Sequence, residues 1–326
     1  MIERCTQRIV GLGLIGLVLF AAVGCGPEGP YPQRTIQVVV PWAAGGGTDR
    51  LARFWAEALQ QELGQRCVVV NRTGGSGAVG HTAGAQAKPD GYTLTAITFE
   101  LSTMHWMDIS PLTYEDFDCL LQTNADPAAL IVRADSDWKT LDDLLTTIRE
   151  RPGELKMSGT ATGGAWDLAR AGLLQAAGLP AKAVIWKPTQ GSAPSLHELL
   201  GGHLDVVCCS LPEAMAQLSS GELRALVVMT EQRLAEFPDI PTTHESGVAW
   251  TAVGWRGLAL PKGTPAEIAN QLEQACLRIG ESDAYREFMA KQGFGITLRG
   301  RDDFRTFLAE QDQQWKAVVE AAGYAR

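Results

Sequence analysis

The chain has 326 residues, 45% hydrophobic and 20% charged, with 28 basic against 37 acidic residues and a net charge of −9. An acidic chain without basic runs argues against nucleic acid as a partner, although an anionic small ligand held by local N–H groups stays compatible with it. The five histidines and seven cysteines form no ligand-spaced cluster, so neither a metal site nor a cofactor is expected.

Residues 1–24 read as an export signal. Arg4 and Arg8 precede an apolar run from Ile9 to Val23 that is too short, and wrongly flanked, for a membrane-spanning helix. Ala22-Val23-Gly24-Cys25 resembles a bacterial lipoprotein processing site, so Cys25 is expected to carry a lipid at the start of the mature chain. Residues 25–30 then form a short tether. The remaining length of about 300 residues provides for two domains. The mature protein is expected outside the cytoplasm, anchored to a membrane without crossing it. Cys67, Cys119, Cys208, Cys209 and Cys276 show no disulfide framework and read as structural thiols.

Ile36–Val40 is a strand, Pro41 stops it, and Gly45-Gly46-Gly47-Thr48-Asp49 opens a helix whose apolar stripe runs to Gly64. A strand feeding a glycine-rich turn at a helix N-terminus offers free N–H groups to an anion. The bland alternative is a tight turn. Gly75-x-Gly77-x-x-Gly80 matches the dinucleotide fingerprint, with Glu100 about 20 residues on. We reject that match because Pro89 leaves too short a crossover helix and an exported protein has little access to NAD. Tyr92–Ile97 is an alternating strand that runs into Thr98, and Leu120–Gln122 and Ala129–Val132 read as two further short strands.

A second α/β unit follows. Thr140-x-x-Asp143 resembles a capping box, and Leu155–Met157 leads into Ser158-Gly159-Thr160-Ala161-Thr162-Gly163-Gly164 and a helix from Ala165. This repeats the opening element, with Asp167 in the first helical turn, and two such loops facing each other would clamp one anion from both sides. Gln190-Gly191 and Ser210 lie at two further helix starts. The alternation points to parallel sheets with covered faces. Thr264-Pro265-Ala266-Glu267 reads as a capped helix start. Three terminal helices, near 265–280, 283–291 and 302–322, are expected to pack on the first unit.

Short motifs spread over the chain carry a resemblance. They include Tyr31-Pro32, Val40-Pro41-Trp42 with Gly45-Gly46-x-x-Asp49 and Arg53, Val70-Asn71-Arg72, and Lys88-Pro89-Asp90-Gly91-Tyr92. Gly191-Ser192-Ala193, Leu199-Leu200-Gly201-Gly202-His203, Pro241-Thr242 and Trp255-Arg256-Gly257 continue the series. From Tyr31 onward the chain resembles the solute receptors of the tripartite tricarboxylate transporter family, and Thr98-Phe99-Glu100 and Gly202-His203 look nearest to its tricarboxylate branch. The resemblance implies an α/β, two-domain, periplasmic-binding-protein-like (type II-like) fold, with a ligand cleft between domains and a two-strand hinge. It implies one domain from residues 31–131 and 254–326, and a second from 132–253.

By the same resemblance, the first wall of the cleft would be Trp42, Ala43, Ala44, Gly45, Gly46, Gly47, Thr48, Asp49 and Thr98. The second would be Ser158, Gly159, Thr160, Thr162, Gly163, Gly164, Gln190, Gly191 and Ser210. Arg72 and Arg256 would brace the structure, and Glu100, which would repel a carboxylate, is placed outside the ligand shell. Two departures from the family pattern stand out. Asp167 replaces a usual histidine, and Thr189 replaces a frequent aromatic.

The function implied is that of a lipid-anchored, monomeric receptor for a di-, tri- or aromatic carboxylate, delivering it to integral-membrane transporter subunits. A ligand-sensing partner of a membrane sensor kinase would share the fold. An exported hydrolase is disfavoured, since no Gly-x-Ser-x-Gly elbow or nucleophile–base pair is evident.

Overall fold

The computed structural model describes residues 30–325, so the expected signal, Cys25 and nearly all of the tether lie outside the described residues. Strand β1, Ile36–Val40, is buried except at Gln37. It feeds helix α1, Gly47–Leu63, which buries Leu51, Trp55 and Leu59 at roughly 1.5–3 kcal/mol per side chain. The helix stops where Gly64 takes φ +66° and returns its N–H to the Gln60 carbonyl. Strand β2, Cys67–Asn71, helix α2, Ala78–Ala85, and strand β3, Thr93–Thr98, complete the first group. Strand β1 pairs in parallel with both β2 and β3.

Strand β4, Phe117–Arg133, corrects the expectation of two short strands. Thr123-Asn124-Ala125-Asp126-Pro127 has the composition of a turn, yet its polar groups are buried and satisfied within the sheet. Asn124 Nδ2 donates to the Gly295 carbonyl at 2.8 Å, and Asp126 Oδ1 accepts from Gly295 N at 2.8 Å. Pro127 sits in register opposite Val253, so the strand continues through this run, with register shifts between Cys119 and Leu121 and between Gln122 and Asn124.

Helix α3, Leu141–Glu150, begins at the expected box, in which Thr140 and Asp143 bond reciprocally. Then come β5, Lys156–Ser158, α4, Ala165–Ala176, β6, Ile185–Trp186, and α5, Ser192–Leu200. Next are β7, Val206–Ser210, α6, Met215–Ser219, and β8, Leu223–Val228. Strand β9, Val253–Pro261, returns antiparallel along β4. Helices α7, Ala266–Gly280, and α8, Asp283–Gln292, precede β10, Ile296–Gly300, a strand the sequence reading missed, and α9, Arg301–Ala321. The expected cap at Thr264 does not form: its hydroxyl donates to the Pro261 carbonyl, and Asp118 accepts from Gly263 N and Thr264 N.

The strand order is β2-β1-β3-β9-β4-β7-β5-β6, with β8 and β10 also on β4. The expectation of parallel sheets is therefore corrected to a mixed sheet. Every pairing of β4 and β9 is antiparallel, because these long strands link the two parallel groups in the reverse direction. One core gathers β1, α1, α7 and α8, and a larger one gathers α3, α4 and β7. We call the bodies around them the first and second lobes.

The last helix packs on β4, β10 and the Phe99 turn of the first unit, as expected, and the chain end beyond it also reaches the second. Trp315 meets Phe99 edge-on at 4.6 Å, and the Tyr324 hydroxyl lies 2.9 Å from Arg170 Nη2 of α4. The described cysteines are unpaired, and all but Cys67 are buried. Among the described residues no helix is long and apolar enough to cross a membrane.

Candidate functional site

Both glycine loops are built to one plan. In the first, Gly45 takes φ +84°, and its N–H donates to Asp49 Oδ2 at 2.9 Å. In the second, Gly163 takes φ +73°, and its N–H donates to Asp167 Oδ2 at 2.8 Å. Each positive φ favours glycine. Gly46 (φ −73°, ψ 172°) and Gly164 (φ −76°, ψ 173°) hold equivalent N-cap positions without side chains, leaving the first amides of both helices to acceptors from elsewhere.

The aspartates brace these loops. Burial pushes the Asp49 carboxyl up, but bonds from Arg53, Gly45 and Asn71 outweigh it and hold the group below the ordinary range. Asp167 is fully buried and takes the guanidinium of Arg170 and the hydroxyl of Tyr324. The departure from the usual histidine thus places a neutralised carboxylate behind the loop rather than a bare charge before the ligand. Thr189, the other departure, bonds Ser195 Oγ at 2.6 Å and tightens the third loop.

The loops meet across a small cavity of about 40 Å³. Of the expected residues, Trp42, Ala43, Gly46, Gly47, Thr48, Thr98, Thr160 and Gly191 line it. The others stand back. Ala44, Gly45, Thr162 and Gln190 are exposed, while Asp49, Ser158, Gly159, Gly163, Gly164 and Ser210 are buried behind the lining. Direct bonds close the loops on each other: Ala43 N donates to the Gln190 carbonyl at 3.0 Å, and Ser76 Oγ to the Thr162 carbonyl at 2.9 Å.

The lining also contains groups the sequence reading missed or set aside. Phe99, Trp166 and Trp255 supply apolar wall, and Ser192, Ala193 and Pro194 extend the Gly191 loop. Ala165 and Gly254 add backbone to the lining. Glu100, placed outside by the sequence reading, lies in the wall. Its Oε1 accepts from Ala165 N at 2.9 Å, at the start of α4, and its Oε2 takes the Thr98 hydroxyl at 2.5 Å. From the opposite lobe Glu213 Oε1 accepts from Gly47 N at 3.3 Å, in the first turn of α1. Ser210-x-x-Glu213 is itself a capping-box spacing, a signal present in the sequence that pointed to Glu213.

Arg256 is 5% exposed, and its guanidinium is fully engaged. It donates to Asp126 Oδ2 at 2.8 Å, Glu213 Oε1 at 3.1 Å and Thr48 Oγ1 at 3.1 Å, and also to Asn124 Oδ1. Burial raises the carboxyls of both Glu100 and Asp126; hydrogen bonds and Arg256 offset this only in part. Trp42 Nε1 donates to Thr98 Oγ1 at 3.2 Å. Behind it, His81 Nε2 accepts from Thr98 N at 3.2 Å, which leaves Nδ1 as the donor to the Gly77 carbonyl at 2.9 Å. Burial lowers His81 to about 4, consistent with this neutral ring. Among the described residues no cluster of His, Cys, Asp and Glu could hold a metal.

Two lobes joined by two long strands, with glycine loops facing across a closed cavity, form the fold of a periplasmic solute-binding receptor. The chain belongs to the receptor family of the tripartite tricarboxylate transporters. The model described as "Tripartite tricarboxylate transporter family receptor" matches residues 51–324. Protein BugT of Bordetella pertussis is 32% identical over 320 residues, covering 96% of this chain and 97% of that protein. The R. palustris protein Rpa4515, solved with adipate, superposes with a TM-score of 0.85 at 28% identity, covering 91% of this chain and 99% of the other. MatC of Rhodopseudomonas palustris, solved with bound malate, gives 0.81 at 26% identity, with 89% and 100% covered.

Proposed function

We propose that this protein is an extracytoplasmic receptor that captures a small organic carboxylate in its cleft and delivers it to the membrane subunits of a tripartite tricarboxylate-type transporter. It binds its solute without transforming it. The observation that carries this reading is the pair of glycine loops, each leading into a helix start without a side-chain cap from its own turn, facing across one cavity. Relatives of similar fold that hold adipate and malate support the carboxylate class.

In this reading residues 31–131 with 254–326 close on residues 132–253, bending where β4 and β9 run between them. The lining residues from Trp42 to Thr48, with Thr98, Thr160 and Gly191, contact the ligand, and Cys25 carries the lipid that holds the receptor at the membrane. A thermal-shift screen of the chain from residue 26 onward, with mono-, di- and tricarboxylates and neutral controls, tests it. An acid at about 100 times its dissociation constant adds about 2.7 kcal/mol and raises the midpoint by several degrees. A shift with neutral compounds alone would end the carboxylate reading.

A further inference from the structure

The closed cleft already contains the anions that its helix starts attract. We propose that Glu100 and Glu213 are specificity-determining residues: each carboxylate caps a helix start across the cavity, and together they restrict the ligand to acids with one free carboxylate, rejecting di- and tricarboxylates. This inference rests on the carboxylate-receptor reading above.

Three observations carry it. First, the N–H groups that an incoming anion would use are occupied. Gly47 N lies 3.3 Å from Glu213 Oε1, and Ala165 N lies 2.9 Å from Glu100 Oε1. Second, the contacts are close-packed, since a Cβ on Gly47 would sit 2.7 Å from both Glu213 Oε1 and Arg256 Nη2. A ligand oxygen therefore has no second place beside that amide.

Third, the charges in the wall are already spent against one another. Arg256 is the single cation in the lining, and it is shared by Glu213 and by Asp126 behind it. Arg50, the next cation, points away, with its guanidinium on the Pro212 carbonyl and Gln292. Glu100 has no cationic partner; its oxygens hold a hydroxyl and an amide. Each additional ligand carboxylate thus enters a space walled by two acids, with no cation in the lining left free for it, and by Trp42, Trp166, Trp255 and Phe99. A single carboxylate still finds donors in the wall, such as the Thr48 and Ser192 hydroxyls, and its apolar or aromatic remainder would face the rings.

The test is calorimetric titration of the soluble chain at pH 7.5 with matched pairs: hexanoate against adipate, butyrate against succinate, benzoate against phthalate, with citrate added. The wild type is expected to bind the best monoacid at least tenfold more tightly than its diacid and to show no heat with citrate. Glu100→Gln and Glu213→Gln, which keep the shape and one acceptor oxygen, and the double variant, are expected to shrink that ratio at least tenfold. A wild type that binds adipate as tightly as hexanoate overturns the proposal and leaves the receptor reading standing, and this comparison needs no variant. An unchanged ratio in folded Gln variants also overturns it. If no acid binds any of the four proteins, the carboxylate-receptor reading fails and the proposal falls with it.

Discussion

Glu100 caps Ala165 across the cleft: a carboxylate at the end of one strand closes the first turn of a helix that begins 65 residues later. Removing it strips α4 of an N-terminal acceptor and leaves Thr98 without its partner. Glu100→Ala is expected to cost about 1–2 kcal/mol, the scale of a lost cap, measured by urea unfolding at pH 7.

The same residue sets a pH dependence. Burial raises its carboxyl, so its stabilising contribution is fully present below the unfolded value and is lost as pH rises through the folded one. The stability of Glu100→Gln relative to the wild type is therefore expected to improve from pH 4 to pH 8. Parallel denaturation series that show the reverse trend would contradict a buried, raised carboxyl.

Asp49 carries the opposite sign. Held below the ordinary range, it contributes stability above its unfolded pKa that is lost as pH falls through the folded one. Asp49→Ala frees Gly45 N, Asn71 Nδ2 and Arg53, and is expected to cost roughly 2–3 kcal/mol at pH 7. The loss should fade toward pH 3, which the same unfolding series reads.

The glycines of the first loop separate by position. A Cβ on Gly46 would meet nothing closer than the Ala43 carbonyl at 3.5 Å, so Gly46→Ala is expected to let the lobes close. Gly47→Ala drives a methyl into Glu213 and Arg256 and is expected to hold the lobes apart. Its affinity should fall at least tenfold, and its radius of gyration in small-angle scattering should exceed that of Gly46→Ala.

Tyr324 ties the end of the chain to Asp167 and Arg170. Tyr324→Phe removes only the hydroxyl and is expected to cost about 1 kcal/mol. An unchanged thermal midpoint would show that the tie is idle.

Much of this architecture is legible locally. The helix that opens after Gly45-Gly46-Gly47, its stop at Gly64, the box at Thr140 and the repeated loop at Gly163 all rest on spacing within one turn or loop. What escaped reading depends on partners remote in sequence. The polar run Thr123–Pro127 looks like a turn until Arg256 and Gly295 are placed beside it. Glu100 looks like a group to be kept from a carboxylate until Ala165 N is brought to it. Glu213 stands 166 residues from the amide it caps. A raised or neutralised acid is a property of such assembled surroundings, which no window of sequence contains.

Helix α9 gives the molecule a practical handle. It starts beneath Trp255, which Phe304 meets edge-on at 5.7 Å, and the chain beyond it ends with Tyr324 bonded to α4 of the second lobe. In the proposed closure the carboxy-terminal end is expected to stay with the second lobe. A donor dye on exposed Glu57 and an acceptor at exposed Ala325 would read out the proposed closure as an optical signal. Ala325, exposed and outside the cavity lining, is the place to attach that reporter.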